Sequence, residues 1–254
     1  MSDDVVIQFE SVTKSFPVPS PVGRHFKQVL LNLPRYLAER RKGERFVALR
    51  EVSLEVRRGE CLGIIGRNGS GKSTLLSLIA GVIQPTTGRV RTVGHICPLL
   101  ELGAGFHSEL TGRDNVFLNG VLLGMTRRQV RERFDRIVEF SELGDFLDRP
   151  LRMYSSGMIA RLGFSVAVHM DPDILLIDEV LAVGDEPFQH KCLERMKQFH
   201  ARGVTMVFVS HQLDQIRKVA DRVARLDHGR VSAPGVAEQV VAAYEAESAV
   251  EQKA

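Results

Sequence analysis

The chain has 254 residues, with 34 Lys and Arg against 31 Asp and Glu, a formal net charge of +3. A hydrophobic share of 44% and a charged share of 26% exclude a disordered chain, a collagen-like fibre and a disulfide-framed miniprotein. No apolar run approaches the ~20 residues of a membrane helix, and the first ten residues lack the basic start and apolar stretch of a signal peptide.

Val5–Phe9 reads as a first strand. Pro17, Pro19 and Pro21 then open a segment of different character. In it Phe26, Val29, Leu30, Leu33 and Leu37 fall at helical spacing amid Arg24, Lys27, Arg35, Arg40, Arg41 and Lys42, and Pro34 kinks or splits the helix. This basic insertion, over about residues 17–45, is either an amphipathic surface piece or an arm facing a membrane or partner helix. A second strand follows at Phe46–Val56, with Val47, Leu49, Val52 and Leu54 alternating. Cys61–Ile65 reads as a short buried strand and Lys72–Ile79 as a helix after a glycine-rich turn. From Leu99 to Met170 the pattern is mostly helical, and Thr126 to Gln129 forms a capping box ahead of Val130, Phe134, Ile137 and Val138. Asp173–Asp178 and Val204–Ser210 carry the continuous apolar runs of parallel strands covered on both faces. The tail after Tyr244 is polar and is expected to fray. Strands alternating with helices give an α/β fold with a mostly parallel sheet and a helical insertion. Cys61, Cys97 and Cys192 are odd in number and unrelated in spacing, which fits neither a metal site nor a disulfide framework and points to a reducing cytosol. The small basic excess does not imply nucleic acid.

Three segments carry chemistry. Gly66, Arg67, Asn68, Gly69, Ser70, Gly71, Lys72, Ser73 and Thr74 satisfy G-x-x-x-x-G-K-[ST] between a strand and a helix. Glycines let successive N–H groups turn around phosphate oxygens, the helix start adds positive potential, Lys72 adds charge and Ser73 offers a hydroxyl to Mg²⁺. The second segment is Asp178 and Glu179, two acids at the carboxyl end of an apolar strand, where open parallel sheets bind ligands. Asp178 is placed to reach Mg²⁺ and Glu179 to polarise water. The third is His211, at the end of another apolar strand, placed to contact the γ-phosphate or orient that water.

In this order these residues resemble the ATP-binding cassette ATPases. Tyr154, Ser155, Ser156, Gly157 and Met158 stand where that family has its LSGGQ signature; Ser155 and Gly157 match, while Ser156 and Met158 depart from it. The resemblance implies a P-loop NTPase (RecA-like) core with an N-terminal antiparallel β portion and a helical subdomain. It implies ATP and Mg²⁺, and a head-to-tail homodimer in which Ser155 and Gly157 close on the nucleotide of the opposite subunit. Val183, Gly184 and Asp185 resemble the loop linking the paired sites. The likeness narrows at Leu99–His107, Leu110–Asn115 and Tyr154–Phe164 to cassettes that export bacterial polysaccharides, with O-antigen the best match and capsule and teichoic acid next. Two copies of a polytopic membrane permease and a lipid-linked glycan are the implied partners, with the chain peripheral on the cytoplasmic face of the inner membrane. Two departures stand out. The glutamine of the family's Mg²⁺-sensing loop is missing; Glu101 either takes its place or is a surface residue. The adenine-stacking aromatic is best matched by Phe16, with Phe46 or Tyr36 as substitutes and an ordinary core role also open.

The expected division is one cassette domain over 1–254: a nucleotide-binding core at 1–98 and 171–235, a helical subdomain at 99–170, and a C-terminal helix and tail at 236–254. Some relatives append a carbohydrate-binding domain, for which the ten residues after Tyr244 leave no room. Two other classes share the phosphate loop. A nucleic-acid-associated cassette ATPase would call for long coiled-coil insertions or two tandem cassettes, and a small-molecule kinase would have no use for the Tyr154–Met158 segment.

Overall fold

The computed structural model describes residues 4–18, 45–99, 103–178, 184–210 and 212–251. The basic insertion with Tyr36, and Glu101, Glu179, Val183 and His211, lie outside the described residues. Two sheets organise the rest. Strands β1 (Val5–Pro17) and β2 (Arg45–Arg57) are long antiparallel partners, and β4 (Thr87–Thr92) joins the free edge of β1 in the order β2-β1-β4.

The larger sheet contains β3 (Cys61–Ile65), β5 (Ile96–Leu99), β6 (Ile174–Asp178), β7 (Thr205–Val209), β8 (Arg222–Asp227) and β10 (Gly235–Val236), in the order β10-β8-β3-β7-β6-β5. Its pairings from β8 across to β5 are parallel; β10 and the short β9 (Arg230–Val231) lie antiparallel to β8. The strand period of two divides the side chains between two cores. Cys61, Ile65, Leu175, Ile177, Met206 and Phe208 face one core. Leu62, Ile64, Ile174, Leu176, Val207 and Val209 face the other, which also takes the inner faces of β1 and β2. Helix α1 (Lys72–Ile79) packs Leu75, Leu76, Leu78 and Ile79 into that second core.

The first core is closed by helices. Among them are α2 (Gly112–Leu122), α3 (Arg127–Ser141), α4 (Ser156–Ala167), α5 (Glu186–Ala201) and α6 (Leu213–Val219). Helix α3 opens with the expected capping box, since Thr126 and Gln129 exchange side-chain to backbone hydrogen bonds. Asn115 explains the Leu110–Asn115 segment. Its buried amide accepts from His107 N–H and donates to the carbonyls of His107, Leu110 and Thr111, fixing the turn into α2.

Two expectations need correction. Leu99, where the helical stretch was to open, instead ends β5 and pairs with Ile177, because parallel pairing buries it. The tail beyond Tyr244 continues as α7 (Ala237–Glu251). Arg217 on α6 pairs with Glu238 and Glu245, and Arg225 on β8 pairs with Glu247 and lies over the Tyr244 ring. Those contacts hold polar residues that sequence alone assigns to solvent. Among the described residues, no helix is long and apolar enough to cross a membrane, and no group of three or more His, Cys, Asp or Glu is placed to hold a metal ion. The three cysteines are free and buried, and burial pushes the Cys97 and Cys192 thiols up to about 12.

Candidate active site

The glycine-rich loop leaves β3 at Gly66 and enters α1 at Lys72. It is clamped from outside by the turn between β8 and β9. Gly229 N–H donates to the Ser70 carbonyl at 3.0 Å, and a side chain at Gly66 would meet the Leu226 carbonyl oxygen at 2.1 Å. Sequence reading missed this support, although Asp227-His228-Gly229 is a turn signature that would have located it. Gly71 caps α1 in the left-handed region, with φ 114°, and Ser70 N–H closes a turn on the Arg67 carbonyl.

Lys72 is only 7% exposed, and its ammonium donates to the carbonyls of Gly66 at 2.8 Å and Arg67 at 3.0 Å. A buried cation folded onto its own loop, with the buried Ser70 hydroxyl lacking a hydrogen-bond partner beside it, is a cradle suited to anionic oxygens. Arg67, Asn68, Gly69 and Ser73 are exposed and Thr74 is half-buried. The Ser73 hydroxyl donates to Asp178 Oδ2 at 3.2 Å, so α1 and the carboxyl end of β6 meet at the loop. That hydroxyl and carboxylate are hard oxygen donors of the kind Mg²⁺ takes, so the residues present fit the ion. Beside them a cavity of about 470 Å³ opens between α1, β5, α2 and α4, lined in part by Ser73, Asp178, Asn119 and Gly163.

Phe16 is not a core residue. It is 37% exposed, pairs across the strands with Phe46 (57% exposed), and has the Lys14 ammonium 5.0 Å from its ring centroid. Both rings reach the surface, with the Lys14 ammonium over that of Phe16. Ser155 caps α4: its hydroxyl accepts from Met158 N–H at 3.2 Å while the residue stays exposed. Tyr154 turns inward and donates to the Phe146 carbonyl at 2.7 Å, anchoring the segment. Asp185 likewise caps α5, accepting from Phe188 N–H at 3.3 Å. The structure thus brings Lys72, Ser73 and Asp178 together at one end of the parallel sheet and leaves Ser155, Gly157 and Asp185 at helix starts of their own.

The family model described as ABC transporter matches residues 49–182. The chain is 49% identical over 239 residues to the O-antigen export system ATP-binding protein RfbB of Klebsiella pneumoniae, covering 94% of this chain and 97% of that one. It is 41% identical to the teichoic acids export ATP-binding protein TagH of Lactococcus lactis, spanning 51% of that longer protein. Among solved structures, a dimeric ATP-binding cassette in a post-hydrolysis state, bound to ADP and Pi, superposes with a TM-score of 0.71 at 23% identity, over 91% of this chain and 98% of that one. That likeness shows the expected fold, a mostly parallel sheet core carrying an antiparallel β portion and a helical part. A family match across more than half of the residues, and a relative aligned over almost its entire length, make this chain a member of the ABC transporter family.

Proposed function

We propose that this chain is the ATP-hydrolysing subunit of a bacterial transporter that exports lipid-linked polysaccharide across the inner membrane. O-antigen is the first choice of cargo, and capsular polysaccharide or teichoic acid the next. The observation that carries the reading is the near-full-length likeness to an O-antigen export subunit. In this reading the chain works as a homodimer beneath two copies of a polytopic permease, on the cytoplasmic face of the membrane. The domain division proposed from sequence, a core at 1–98 and 171–235 with a helical subdomain at 99–170, is retained with it.

Gly66–Thr74 hold the phosphates. The Lys72 ammonium, now on two neutral carbonyls, exchanges them for anionic oxygens, which accept more strongly. Ser73 and Asp178 hold Mg²⁺, which when bound neutralises charge on the phosphates. Glu179 polarises the water and His211 bridges it to the γ-phosphate; both assignments rest on sequence, as does Glu101 in place of the missing glutamine. Phe16 stacks on adenine, with Phe46 beside it as the alternative. Ser155 and Gly157 close on the opposite subunit's nucleotide, with Asp185 between the paired sites. Turnover then depends on positioning and on charge stabilisation.

The test is genetic and biochemical. In a strain lacking this gene, the wild-type chain restores surface polysaccharide, whereas Lys72→Ala leaves lipid-linked glycan accumulating on the cytoplasmic side. Unchanged surface glycan in the deletion strain overturns the export reading, and the chemistry of the accumulated glycan decides among the three cargoes. With ATP and Mg²⁺, Glu179→Gln forms a trapped dimer; a variant that stays monomeric removes the two-subunit site.

A further inference from the structure

Glu142 follows the last turn of α3 with φ 56° and ψ 31°, in the left-handed region. Glycine or asparagine usually ends a helix in this way, because any larger residue there carries backbone strain. A glutamate in that place calls for a reason in its side chain. Its Oε2 accepts from Arg161 Nη2 on α4 at 2.6 Å, and its Oε1 accepts from Lys191 Nζ on α5 at 3.0 Å. The same two cations also bond the end of α3: Arg161 Nε donates to the Ser141 carbonyl at 3.2 Å and Lys191 Nζ to the Phe140 carbonyl at 2.9 Å. Arg161 lies over the Phe188 ring at 4.8 Å and Lys191 over the Phe140 ring at 4.6 Å. The Lys191 hydrogen bond, ahead of the charges of Lys191 and Arg161, holds the Glu142 carboxyl below the usual carboxylate range and so keeps it ionised.

The two helices joined by this carboxylate matter for the site. Helix α4 opens at Ser155 and α5 opens at Asp185, and Arg161 and Lys191 each lie six residues further along. Phe188, under the Arg161 guanidinium, donates its N–H to Asp185 and touches the position where Gly184 has no side chain. We infer that Glu142 is a positioning residue: it ties the helix opening at Ser155 to the helix opening at Asp185, so that the segment closing on the opposite subunit's nucleotide and the segment between the paired sites move as one body. The inference rests on the two-subunit reading proposed above. A plain stabilising bridge is the competing account. The Glu142 side chain is 56% exposed, however, against 18% for Arg161 and 35% for Lys191, and a bridge whose carboxylate stays in solvent contributes modestly to folding.

Glu142→Gly separates the two accounts, because it relieves the strain and removes the carboxylate while leaving the bonds from Arg161 to the Ser141 carbonyl and from Lys191 to the Phe140 carbonyl in place. In the full-length chain, Glu142→Gly and Glu142→Gln keep the Tm within about 2 °C. They lower kcat for ATP roughly tenfold to hundredfold with KM unchanged, as misplacement of a reacting group does. Glu142→Asp recovers part of the rate. Spin labels at Ser156→Cys and Glu186→Cys, specific because the three native cysteines are buried, give a distance distribution that broadens in the Glu142→Gly background. An unchanged distribution, or a lost Tm with normal kcat, overturns the inference. The parent reading fails separately: if Glu179→Gln with Glu142 intact does not dimerise on ATP, the two-subunit site is wrong whatever the spin labels report.

Discussion

Alanine at Gly66 and alanine at Gly69 perturb one loop in two different ways. A Cβ at Gly66 would lie 2.1 Å from the Leu226 carbonyl oxygen and 3.0 Å from Ser70 Oγ. An ordinary carbon–oxygen approach is about 3.3 Å, so a gap of more than ~1 Å must open. Leu226 cannot give way cheaply, since it is fully buried in β8 and paired with Val231. The cost falls at the upper end of the overpacking range, about 3 kcal/mol. At Gly69 a Cβ meets nothing within 4 Å, and the penalty is that of φ 78° alone. That strain is ~1–2 kcal/mol, reduced by ~0.4–1 kcal/mol because alanine restricts the unfolded chain, which leaves about 1 kcal/mol. Urea unfolding should therefore separate the two variants by about 2 kcal/mol with equal m-values. A fluorescent-nucleotide titration should also show Gly66→Ala binding at least tenfold more weakly, a loss of ~1.4 kcal/mol, because the first residue of the cradle has moved. Equal stabilities for the two variants would refute the argument that the β8–β9 turn clamps the loop.

Two further outcomes follow from named contacts. His169 donates from Nδ1 to the Ser165 carbonyl at 2.7 Å, and burial, reinforced by Arg195, Arg136 and Arg133 and opposed by that hydrogen bond, holds its pKa below 6.5. A base whose folded pKa is depressed leaves stability intact above the unfolded value and loses it as pH falls through the folded one; the Tm should thus decline below pH 6.5, and an identical slope in His169→Gln would remove His169 as the cause. Gly157→Ala should leave the Tm unchanged to within about 2 °C, because the Cβ meets only Ser155 Oγ at 3.9 Å, while turnover falls; a wild-type rate would show that no second surface needs the space.

Much of the candidate site was legible because its residues are consecutive. A loop of nine residues and an acidic strand end carry their chemistry in local order, and the structure sets Ser73 against Asp178 as that order implies. What stayed illegible was held by distant partners. Strand β8 reads as polar because Arg222 and Arg225 interrupt it, yet Arg222 pairs with Glu60 from the neighbourhood of β3 and Arg225 with Glu247 of α7. Strand β4 exposes most of its residues, and β5 has four residues including Pro98, so neither offers a period to detect. Glu142 was invisible for the same reason: its partners lie 19 and 49 residues away.

The Ser155–Met158 segment shows the converse case, a motif that this chain's own packing does not fully explain. Ser155 is accounted for, since α4 needs an N-cap and its hydroxyl provides one. Gly157 is not, because its φ is not among the positive values and a side chain there would meet almost nothing. Gly66 is small because Leu226 crowds it from within the same fold. Nothing within the chain requires glycine at this position, and the space beside Gly157 is free for a group from outside. A nucleotide held by a second copy is what the proposed dimer would bring to that position, and Ser156, exposed in the first turn of α4, leaves that approach clear.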